Sequence, residues 1–243
     1  MDRETIIRRH MRGVYDRIWE YFDRTRHRPW AEVVAFARDA TGDLALDLCS
    51  GNGRHVPALV DAGFRVVALD LCRPLLASAG RQNVPVAPDL VLGDALRLPV
   101  QDGAFDLVLM IAGLHHLPSA GDRLQALREM RRVMTPEGRA LVSAWGLHQR
   151  RVPEDDMRRD LRTPWGHVHL NDPHDRFIPW KGPDGTVHRY YHLFTPEEMD
   201  ALVARVFPSR RVFVSGDNVF AEVSPAGKDT TAGDRLRTVL GPP

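Results

Sequence analysis

A glycine turn directly after a short apolar segment is the first feature of the sequence that could do chemistry. Residues 44–48 are predicted to form a buried strand, which runs into Gly-Asn-Gly at 51–53. Glycines in such a turn let a ligand approach the backbone, because a Cβ atom at either position would block it. The third glycine of a dinucleotide fingerprint is missing, since Val56 takes its place, and no Gly-Lys-Ser/Thr of a P-loop follows.

Three aspartates lie in or directly after three successive predicted strands. Asp47 lies inside the first strand, Asp70 ends the second, and Asp94 follows the third. Asp70 comes 19 residues after Gly51, close to the ~20 expected for an acid that binds ribose hydroxyls. Each aspartate alone would also fit a turn or a helix cap. Together with the glycine turn, all three in register predict a ribose-containing ligand.

This pattern resembles the class I methyltransferases that use S-adenosylmethionine and release S-adenosylhomocysteine. The resemblance implies that Asp47 lies near the amino-acid end of the cofactor, that Asp70 binds the ribose, and that Asp94 and Ala95 contact the adenine. The cofactor site expected on this basis contains Arg26, Trp30, Asp47, Cys49, Gly51, Asn52, Gly53, Asp70, Leu71, Asp94, Ala95, Ile111 and Ala112.

The predicted end of the fourth strand bears on the methyl acceptor. Methyltransferases that clasp a planar amino group often carry Asn-Pro-Pro-Tyr there, whereas this chain has Ile-Ala-Gly-Leu-His-His-Leu at 111–117. Methylation of an adenine or glutamine nitrogen is therefore not expected. The catalytic cysteine in a Pro-Cys context that a cytosine C5 enzyme uses is also absent from this strand.

Three separated stretches extend the resemblance. They are Thr-Arg-His-Arg-Pro-Trp at 25–30, His-His at 115–116 with Trp145, and Arg-Tyr-Tyr-His at 189–192. From about Tyr15 to Leu202 the chain is similar to the tRNA wobble-uridine methyltransferases, which esterify 5-carboxymethyluridine in the anticodon. It departs from that family in having Cys-Ser-Gly-Asn-Gly at 49–53 instead of Gly-Cys-Gly-Asn-Gly, and Arg-His at 54–55 instead of a Lys-Tyr type pair.

Esterification of such an acceptor needs no general base, because a carboxylate with a pKa of about 4 is already ionised at pH 7. The enzyme must exclude water, align the oxygen with the methyl–sulfur bond and hold the carboxylate without quenching its nucleophilicity. Six residues are expected around the carboxylate and the uracil ring: Tyr21, Arg26, His115, Trp145, Arg189 and Tyr191. The 189–192 segment would equally fit a half-buried strand, and the His-His pair a helix start satisfied by backbone.

The elements that must position these residues alternate regularly from residue 44 onward. Strands are predicted over 44–48, 65–69, 90–92, 105–111 and 139–145, with helices over 56–61, 74–81 and 122–134. Such alternation implies right-handed crossovers and a parallel sheet covered on both faces. The expected fold is a doubly wound α/β sheet, the Rossmann-like sheet of class I methyltransferases.

Segments outside this alternation are expected to belong to the same single domain, residues 1–224. Residues 1–40 form an N-terminal helical segment, and residues 148–194 form a substrate cap inserted after the fifth strand. A helix begins in a capping-box pattern at Thr195, and strands over 211–214 and 218–223 pair antiparallel. Residues 225–243 are polar, rich in Gly and Pro, and expected to be a mobile tail.

The cap has its own cluster of ionisable residues. His167 and His169, with His174 and Asp175 nearby, are compatible with a metal because alternate strand residues share a face. No acceptor chemistry expected here needs a metal, so no metal site is predicted. Arginines and aromatics interleaved across the cap favour splayed single-stranded RNA, such as an anticodon loop, whose bases stack on rings and guanidinium planes.

Composition excludes other classes of protein. The 243 residues are 43% hydrophobic and 27% charged, which is typical of a globular domain. A net charge of +1 gives no overall basic field for nonspecific nucleic-acid binding. Cys49 and Cys72 are too few for a disulfide framework. No segment is apolar enough to cross a membrane and the N-terminus is charged, so a cytoplasmic protein is expected.

Two other functions share the cofactor half of the sequence. A small-molecule methyltransferase of the ubiquinone-biosynthesis type would favour an apolar cap, and the Arg/His-rich cap disfavours it. A cofactor-binding but inactive subunit is disfavoured by the intact aspartates and glycines. The resemblance implies two partners, the tRNA anticodon loop and a small zinc-binding activator protein, and no membrane.

Overall fold

The computed structural model describes residues 1–150, 152–183 and 185–226, and a seven-stranded sheet organises it. The strands of this sheet are β1 (Leu44–Leu48), β2 (Arg65–Asp70), β3 (Asp89–Leu92), β4 (Phe105–Met110), β5 (Met134–Trp145), β10 (Ser209–Ser215) and β11 (Asn218–Ser224). Their order is β10-β11-β5-β4-β1-β2-β3. Strands β1 to β5 are parallel, whereas β11 runs antiparallel to β5 and β10 antiparallel to β11.

Apolar runs explain why the central strands form as predicted. Leu46 and Leu48 on β1, and Val108 on β4, are fully buried, because helices cover both faces of a parallel sheet. The helices are α1 (Arg3–Thr25), α2 (Ala31–Arg38), α3 (Val56–Asp61), α4 (Arg73–Ala79), α5 (Ala120–Val133) and α6 (Pro196–Ala204). The strand order reverses at β1, which lies between β4 and β2, and such a switch point opens a crevice at the carboxyl ends of the strands.

The N-terminal helix is confirmed and covers that crevice. Asp2 caps α1 by accepting a hydrogen bond from the Thr5 N–H at 2.7 Å. Ile7, Met11 and Ile18 are buried on one helical face, as the spacing predicts. None of the described helices is both long enough and apolar enough to cross a membrane.

The expected cap consists of two β-hairpins. The first pairs β6 (Asp160–Thr163) with β7 (Gly166–His169), and the second pairs β8 (Asp175–Gly182) with β9 (Gly185–His192). Val168, Phe177 and Tyr190 pack with Ile7 and Met11 of α1 in one apolar cluster. The cap and the N-terminal helix therefore form a continuous layer at the carboxyl edge of the sheet.

Two local expectations differ from the structure. The helix expected over 122–134 spans Ala120–Val133, and the strand expected from 139 already begins at Met134, so that Gly138 lies inside β5. A Cβ atom at Gly138 would lie 3.1 Å from the Phe105 carbonyl, where the pairing of β4 with β5 is irregular. The antiparallel pair β10–β11 is confirmed, and most of the expected tail, 227–243, lies outside the described residues.

Candidate active site

A cavity of about 500 Å³ lies at the carboxyl ends of the parallel strands, between the sheet, α1 and β9. Predicted residues from both lists line it together: Arg26, Trp30, Cys49, Gly51, Asn52, Asp70, Leu71, Asp94, Ala95, Ile111, Ala112, His115, Trp145, Arg189 and Tyr191. Most of the cofactor and acceptor residues expected from the sequence thus line one cavity.

Tyr21 is not among the residues that line the cavity. It is 40% exposed and its ring contacts Trp180 at a centroid distance of 6.0 Å. Successive residues of an α-helix differ by about 100° around the axis, so Tyr21 points away from the face that Phe22 presents to the cavity. Tyr15, two turns before Phe22, lines the cavity instead. Helical spacing from Phe22 could have selected Tyr15.

Two predicted cofactor residues lie behind the cavity wall. The space that Gly53 leaves is filled by α4 and not by a ligand, because a Cβ at this position would come within 2.8 Å of the Ala79 backbone. It allows α4 to pack against the turn, whereas Gly51 faces the cavity, with Phe22 3.7 Å from an added Cβ. Asp47 is buried and its Oδ2 has no hydrogen-bond partner among the described residues. Burial raises the pKa of Asp47 to about 7.

Strained backbone marks the ends of β1 and β4. Cys49 and Ala112 have φ angles of 58° and 55°, a region that non-glycine residues seldom adopt. Both residues line the cavity. A Cβ at Gly113 would lie 2.8 Å from the Cys49 Cβ, so glycine lets the two strand ends approach. Such strain is often found at functional sites.

Asp70 is held in a fixed orientation. Its Oδ2 accepts the Gly51 N–H and its Oδ1 accepts the Cys72 N–H, each at 2.8 Å. Burial raises the pKa of Asp70, while these two N–H groups favour its ionised form. A carboxylate oxygen has two lone pairs, so both oxygens can still accept from a pair of hydroxyls. Asp94 accepts the Leu96 N–H at 2.9 Å and reaches the cavity after β3.

Asn52 joins the glycine turn to the end of α1. Its side-chain amide donates to Asp23 Oδ1 at 2.9 Å and to the Arg26 carbonyl at 2.7 Å. Asn52 was expected to contact the cofactor; it lines the cavity, but its amide is occupied by these two bonds. The side chain therefore fixes the helix that forms one wall of the site.

Arg54 was missed as a site residue. It lines the cavity, and its guanidinium carbon lies 4.7 Å from the centre of the Trp30 ring. Burial lowers the pKa of Arg54 to about 10, so it remains a cation at neutral pH, and Asp47 is the carboxylate that acts on it most strongly. The departure of residues 54–55 from the family pattern was the signal, because an arginine in place of a lysine keeps the positive charge at this end of the site and adds a planar fork that can hold a carboxylate.

Arg189 brings a buried cation to the acceptor end. It is 5% exposed, with Trp180 and Tyr191 rings 4.6 and 5.0 Å from its guanidinium carbon. Burial alone would lower the pKa of Arg189, but the neighbouring side chains of Tyr191 and Tyr15 raise the pKa of this guanidinium. No carboxylate of the described segments contacts it, and its Nε has no hydrogen-bond partner there. The cation therefore lacks a counter-ion within residues 1–150, 152–183 and 185–226.

The histidine pair beside Arg189 is neutral. His115 Nδ1 accepts the Trp145 N–H at 3.0 Å, so its proton is assigned to Nε2. His116 Nδ1 donates to the Tyr190 carbonyl at 2.9 Å, and its Nε2 accepts from the Tyr15 hydroxyl at 2.8 Å. Burial lowers the pKa of His115 well below its usual value and that of His116 to about 3. His116, like Tyr15, was not among the predicted acceptor residues.

The opposite face of β9 forms a buried polar network. His192 is 1% exposed, with Nδ1 2.8 Å from Asp175 Oδ1 and Nε2 2.6 Å from Glu198 Oε1. Carboxylates only accept, so both ring nitrogens are placed to donate, and this favours the imidazolium form of His192. Although burial alone would lower it, the two carboxylates raise the pKa of His192. The Tyr190 hydroxyl also donates to Asp175, at 2.6 Å.

The histidine cluster expected in the cap is divided. His167 and His169 are exposed and both contact Asp160. His174 instead lies beside Glu198, with Nδ1 3.1 Å from Oε2. His167 and His169 therefore do not group with His174 and Asp175, because the first pair lies on β7 and the second at the start of β8. That the chain holds no metal remains a prediction.

Known proteins match both the sequence and the fold. Residues 46–142 match the family described as a methyltransferase domain. DhpI in complex with S-adenosylhomocysteine superposes with a TM-score of 0.64 at 18% identity, covering 92% of this chain and 98% of DhpI. The PH0226 protein of Pyrococcus horikoshii OT3 gives a TM-score of 0.58 at 20% identity, covering 76% and 82%. These structures confirm the predicted fold class.

Curated relatives carry more specific names. The tRNA (carboxymethyluridine(34)-5-O)-methyltransferase of Schizosaccharomyces pombe is 32% identical over 199 residues, which are 78% of this chain and 84% of that protein. The Xenopus tropicalis enzyme of the same name, alkbh8, is 26% identical, and the match covers 83% of this chain but 38% of that protein. The Saccharomyces cerevisiae enzyme is 28% identical over 63% of this chain and 54% of its own length. On the match to the fission yeast protein, and with the site described above, the chain belongs to the family of tRNA carboxymethyluridine methyltransferases.

Proposed function

We propose that this chain transfers a methyl group from S-adenosylmethionine to the carboxylate of 5-carboxymethyluridine, or of a related carboxylated uridine, at the wobble position of tRNA. One observation decides the choice of acceptor: the Arg189 guanidinium is buried and contacts no carboxylate of the described residues. A buried cation without a counter-ion is costly, and an incoming carboxylate would supply the missing charge. An apolar quinone precursor would leave Arg189 uncompensated.

The cofactor half of the cavity fits S-adenosylmethionine. The free lone pairs of Asp70 suit the two ribose hydroxyls, and Asp94 with Ala95 would contact the adenine. Arg54, beside Asp47, is placed to hold the carboxylate at the amino-acid end. When bound, the cofactor supplies a methyl group activated by the sulfonium charge.

The residues at the acceptor end would orient the uridine. Tyr191 stacks on His115 at a centroid distance of 4.5 Å and lies 4.8 Å from Trp145, so these rings offer an aromatic wall to the uracil. Arg189 would hold one carboxylate oxygen and leave the other free to attack. His115 and His116, being neutral, would not add positive charge that lowers the nucleophilicity of that oxygen.

Methyl transfer to tRNA carrying 5-carboxymethyluridine tests the proposal. The purified chain, with and without a co-expressed activator, is incubated with labelled S-adenosylmethionine, and the nucleosides are analysed by mass spectrometry. The expected product is a methyl ester that mild alkali removes. The same tRNA with an unmodified wobble uridine should accept no label. Methylation of a quinone precursor, with carboxymethyluridine tRNA left unmodified, would contradict the assignment.

We also propose that a small zinc-binding activator protein binds the edge of the sheet at β3. This strand has a partner on one side only, and Leu90 and Leu92 are 44% and 41% exposed. Val86, just before the strand, is exposed as well. Leu90→Lys with Leu92→Lys should abolish co-purification with the activator. The corresponding change on the other edge, Val214→Lys on β10, serves as the control.

A tRNA substrate implies where the protein acts. We infer a cytoplasmic location, because mature tRNA is used there by the ribosome. Fractionation of cells that carry a tagged chain checks this, and recovery of the tag with membranes would contradict it.

A further inference from the structure

The tip of the first cap hairpin lies across α1 at a position without a side chain. A Cβ at Gly13 would be 3.0 Å from Cη2 of Trp165, and a Cβ at Gly166 would be 3.0 Å from Cδ1 of Ile6. The backbone N–H of Trp165 donates to Thr163 Oγ1, and Thr163 Oγ1 donates to the Gly166 carbonyl at 2.8 Å. These hydrogen bonds hold the turn of the hairpin, and the contact with Gly13 places the indole of Trp165 on the outer surface of the helix.

The side chain of Trp165 remains partly exposed to solvent. It is 37% exposed, whereas tryptophans of globular proteins are usually well buried. The ring contacts Gly13 through the outer atoms of its six-membered ring, Cη2, Cζ3 and Cζ2. A fixed, half-open aromatic ring offers a π-face to a ligand without much further loss of side-chain freedom.

Two exposed arginines lie on the part of α1 that Trp165 covers. Arg9 is one helical turn before Gly13 on the same face, and Arg12 is rotated by about 100° from Gly13 toward the cavity that it lines. Both are exposed, and neither forms an ion pair or hydrogen bond with any residue that the structure describes. Asp16, one helical turn after Arg12, is the nearby acid, so these three side chains leave a net charge of +1. The surface of α1 beside Trp165 is therefore weakly cationic.

This surface continues into the active site. Arg12 lines the cavity that also contains Arg189. If the reacting group of a long ligand lies at Arg189, the part of the ligand that extends out of the cavity would pass Arg12 before it reaches Trp165. An aromatic ring with cations beside it is the pattern that binds single-stranded nucleic acid, by stacking of bases and contacts to phosphates.

We propose that Trp165, Arg9 and Arg12 bind the anticodon-loop nucleotides that flank the acceptor uridine. Trp165 stacks on one base, and the two arginines bind phosphates of the same strand. The inference rests on the proposed function and adds to it the surface that recognises the loop. The ring accepts any base, so this surface supplies affinity without selecting sequence.

Binding of an anticodon stem-loop RNA to variants of the full chain, followed by fluorescence anisotropy, tests each part separately. Trp165→Leu should weaken binding about tenfold, and Trp165→Phe should restore most of it, because a stacked base needs an aromatic ring. Arg9→Ala and Arg12→Ala should each lower the slope of log K against log[salt] by about 0.7, the value for one phosphate contact on a single strand. Trp165→Leu should leave that slope unchanged.

Controls separate this surface from the chemistry. Arg128→Ala removes an equally exposed helical arginine on α5 and should change neither affinity nor slope. Trp165→Leu should bind S-adenosylmethionine and methylate the free nucleoside 5-carboxymethyluridine as the wild type does, which also shows that it is folded. If the wild type methylates tRNA and Trp165→Leu binds the RNA with unchanged affinity, the proposed RNA-binding surface is refuted while the proposed function stands. A wild type that ignores carboxymethyluridine in both tRNA and nucleoside would overturn the proposed function itself.

Discussion

Replacing Arg189 with methionine should separate activity from stability. Methionine has a similar length and no charge, so it removes the proposed counter-ion of the acceptor carboxylate. A hydrogen bond to a charged group is worth about 1.5–3 kcal/mol, so kcat/KM on carboxymethyluridine tRNA should fall by about 10- to 150-fold. The affinity for S-adenosylmethionine should change less than about twofold, because the cofactor aspartates lie on β2 and after β3.

The free energy of unfolding should hardly change in the same variant. The substitution loses the contacts of the guanidinium with the rings of Trp180 and Tyr191. It also removes a desolvated charge whose Nε has no partner in the described chain. Each side amounts to about 1–3 kcal/mol, so we expect a net change within about 1 kcal/mol.

Steady-state kinetics, calorimetry of cofactor binding and urea unfolding of the same preparations measure the three quantities. Arg189→Lys keeps the charge but loses the planar fork, so its kcat/KM should be intermediate. A methionine variant with kcat/KM within twofold of the wild type would refute the carboxylate assignment. Loss of cofactor binding, or of several kcal/mol of stability, would show instead that Arg189 is structural.

Three further predictions concern the surroundings of the site. Asp70→Asn should weaken S-adenosylmethionine binding about tenfold in calorimetry, because a charge-assisted pair of hydrogen bonds becomes neutral; unchanged affinity would remove Asp70 from the site. Asn52→Ala should cost about 1–3 kcal/mol in urea unfolding and raise hydrogen exchange in α1 more than in β1; equal exchange in both elements would contradict its role at the helix wall. The pKa of His192 is raised in the folded chain, so its contribution to stability is fully present below the unfolded pKa of about 6.5 and is lost as the pH rises through the folded pKa. Glu198→Gln should therefore cost more stability at pH 6 than at pH 9, and a pH-independent difference would show that His192 is not charged.

Sequence reasoning succeeded where one local property decides the structure. The runs at β1 and β4 are apolar throughout, so burial on both faces could be predicted without knowing their neighbours. Asp70 was placed at the cavity because its distance from the glycine turn is set by one βαβ unit. The same regularity brought Cys49 and Ala112 to the ends of adjacent strands.

The errors arose where the rotation of a helix, or a contact between distant elements, decides whether a residue reaches the cavity. Tyr21 and Tyr15 belong to one motif-rich segment, and only the rotation of α1 on the sheet shows which of them reaches the cavity. Gly53 needs no side chain because of α4, and Asn52 binds the end of α1; neither contact can be read from the turn itself. The partners of His192 come from β8 and α6. The network therefore depends on the pairing of β8 with β9, which the short, Pro-containing sequence of this region does not predict.

Alternation along β9 limits how this protein can vary. Arg189 and Tyr191 face the cavity, while Tyr190 and His192 face the buried polar network on the other side of the strand. Inserting or deleting one residue in this stretch would exchange the two sets and disable both at once. Length changes between relatives should therefore collect between Gly182 and Gly185 and in the loops outside the two hairpins. Within β9 we expect relatives to keep the same number of residues, with aromatic and basic side chains at the same positions of the strand.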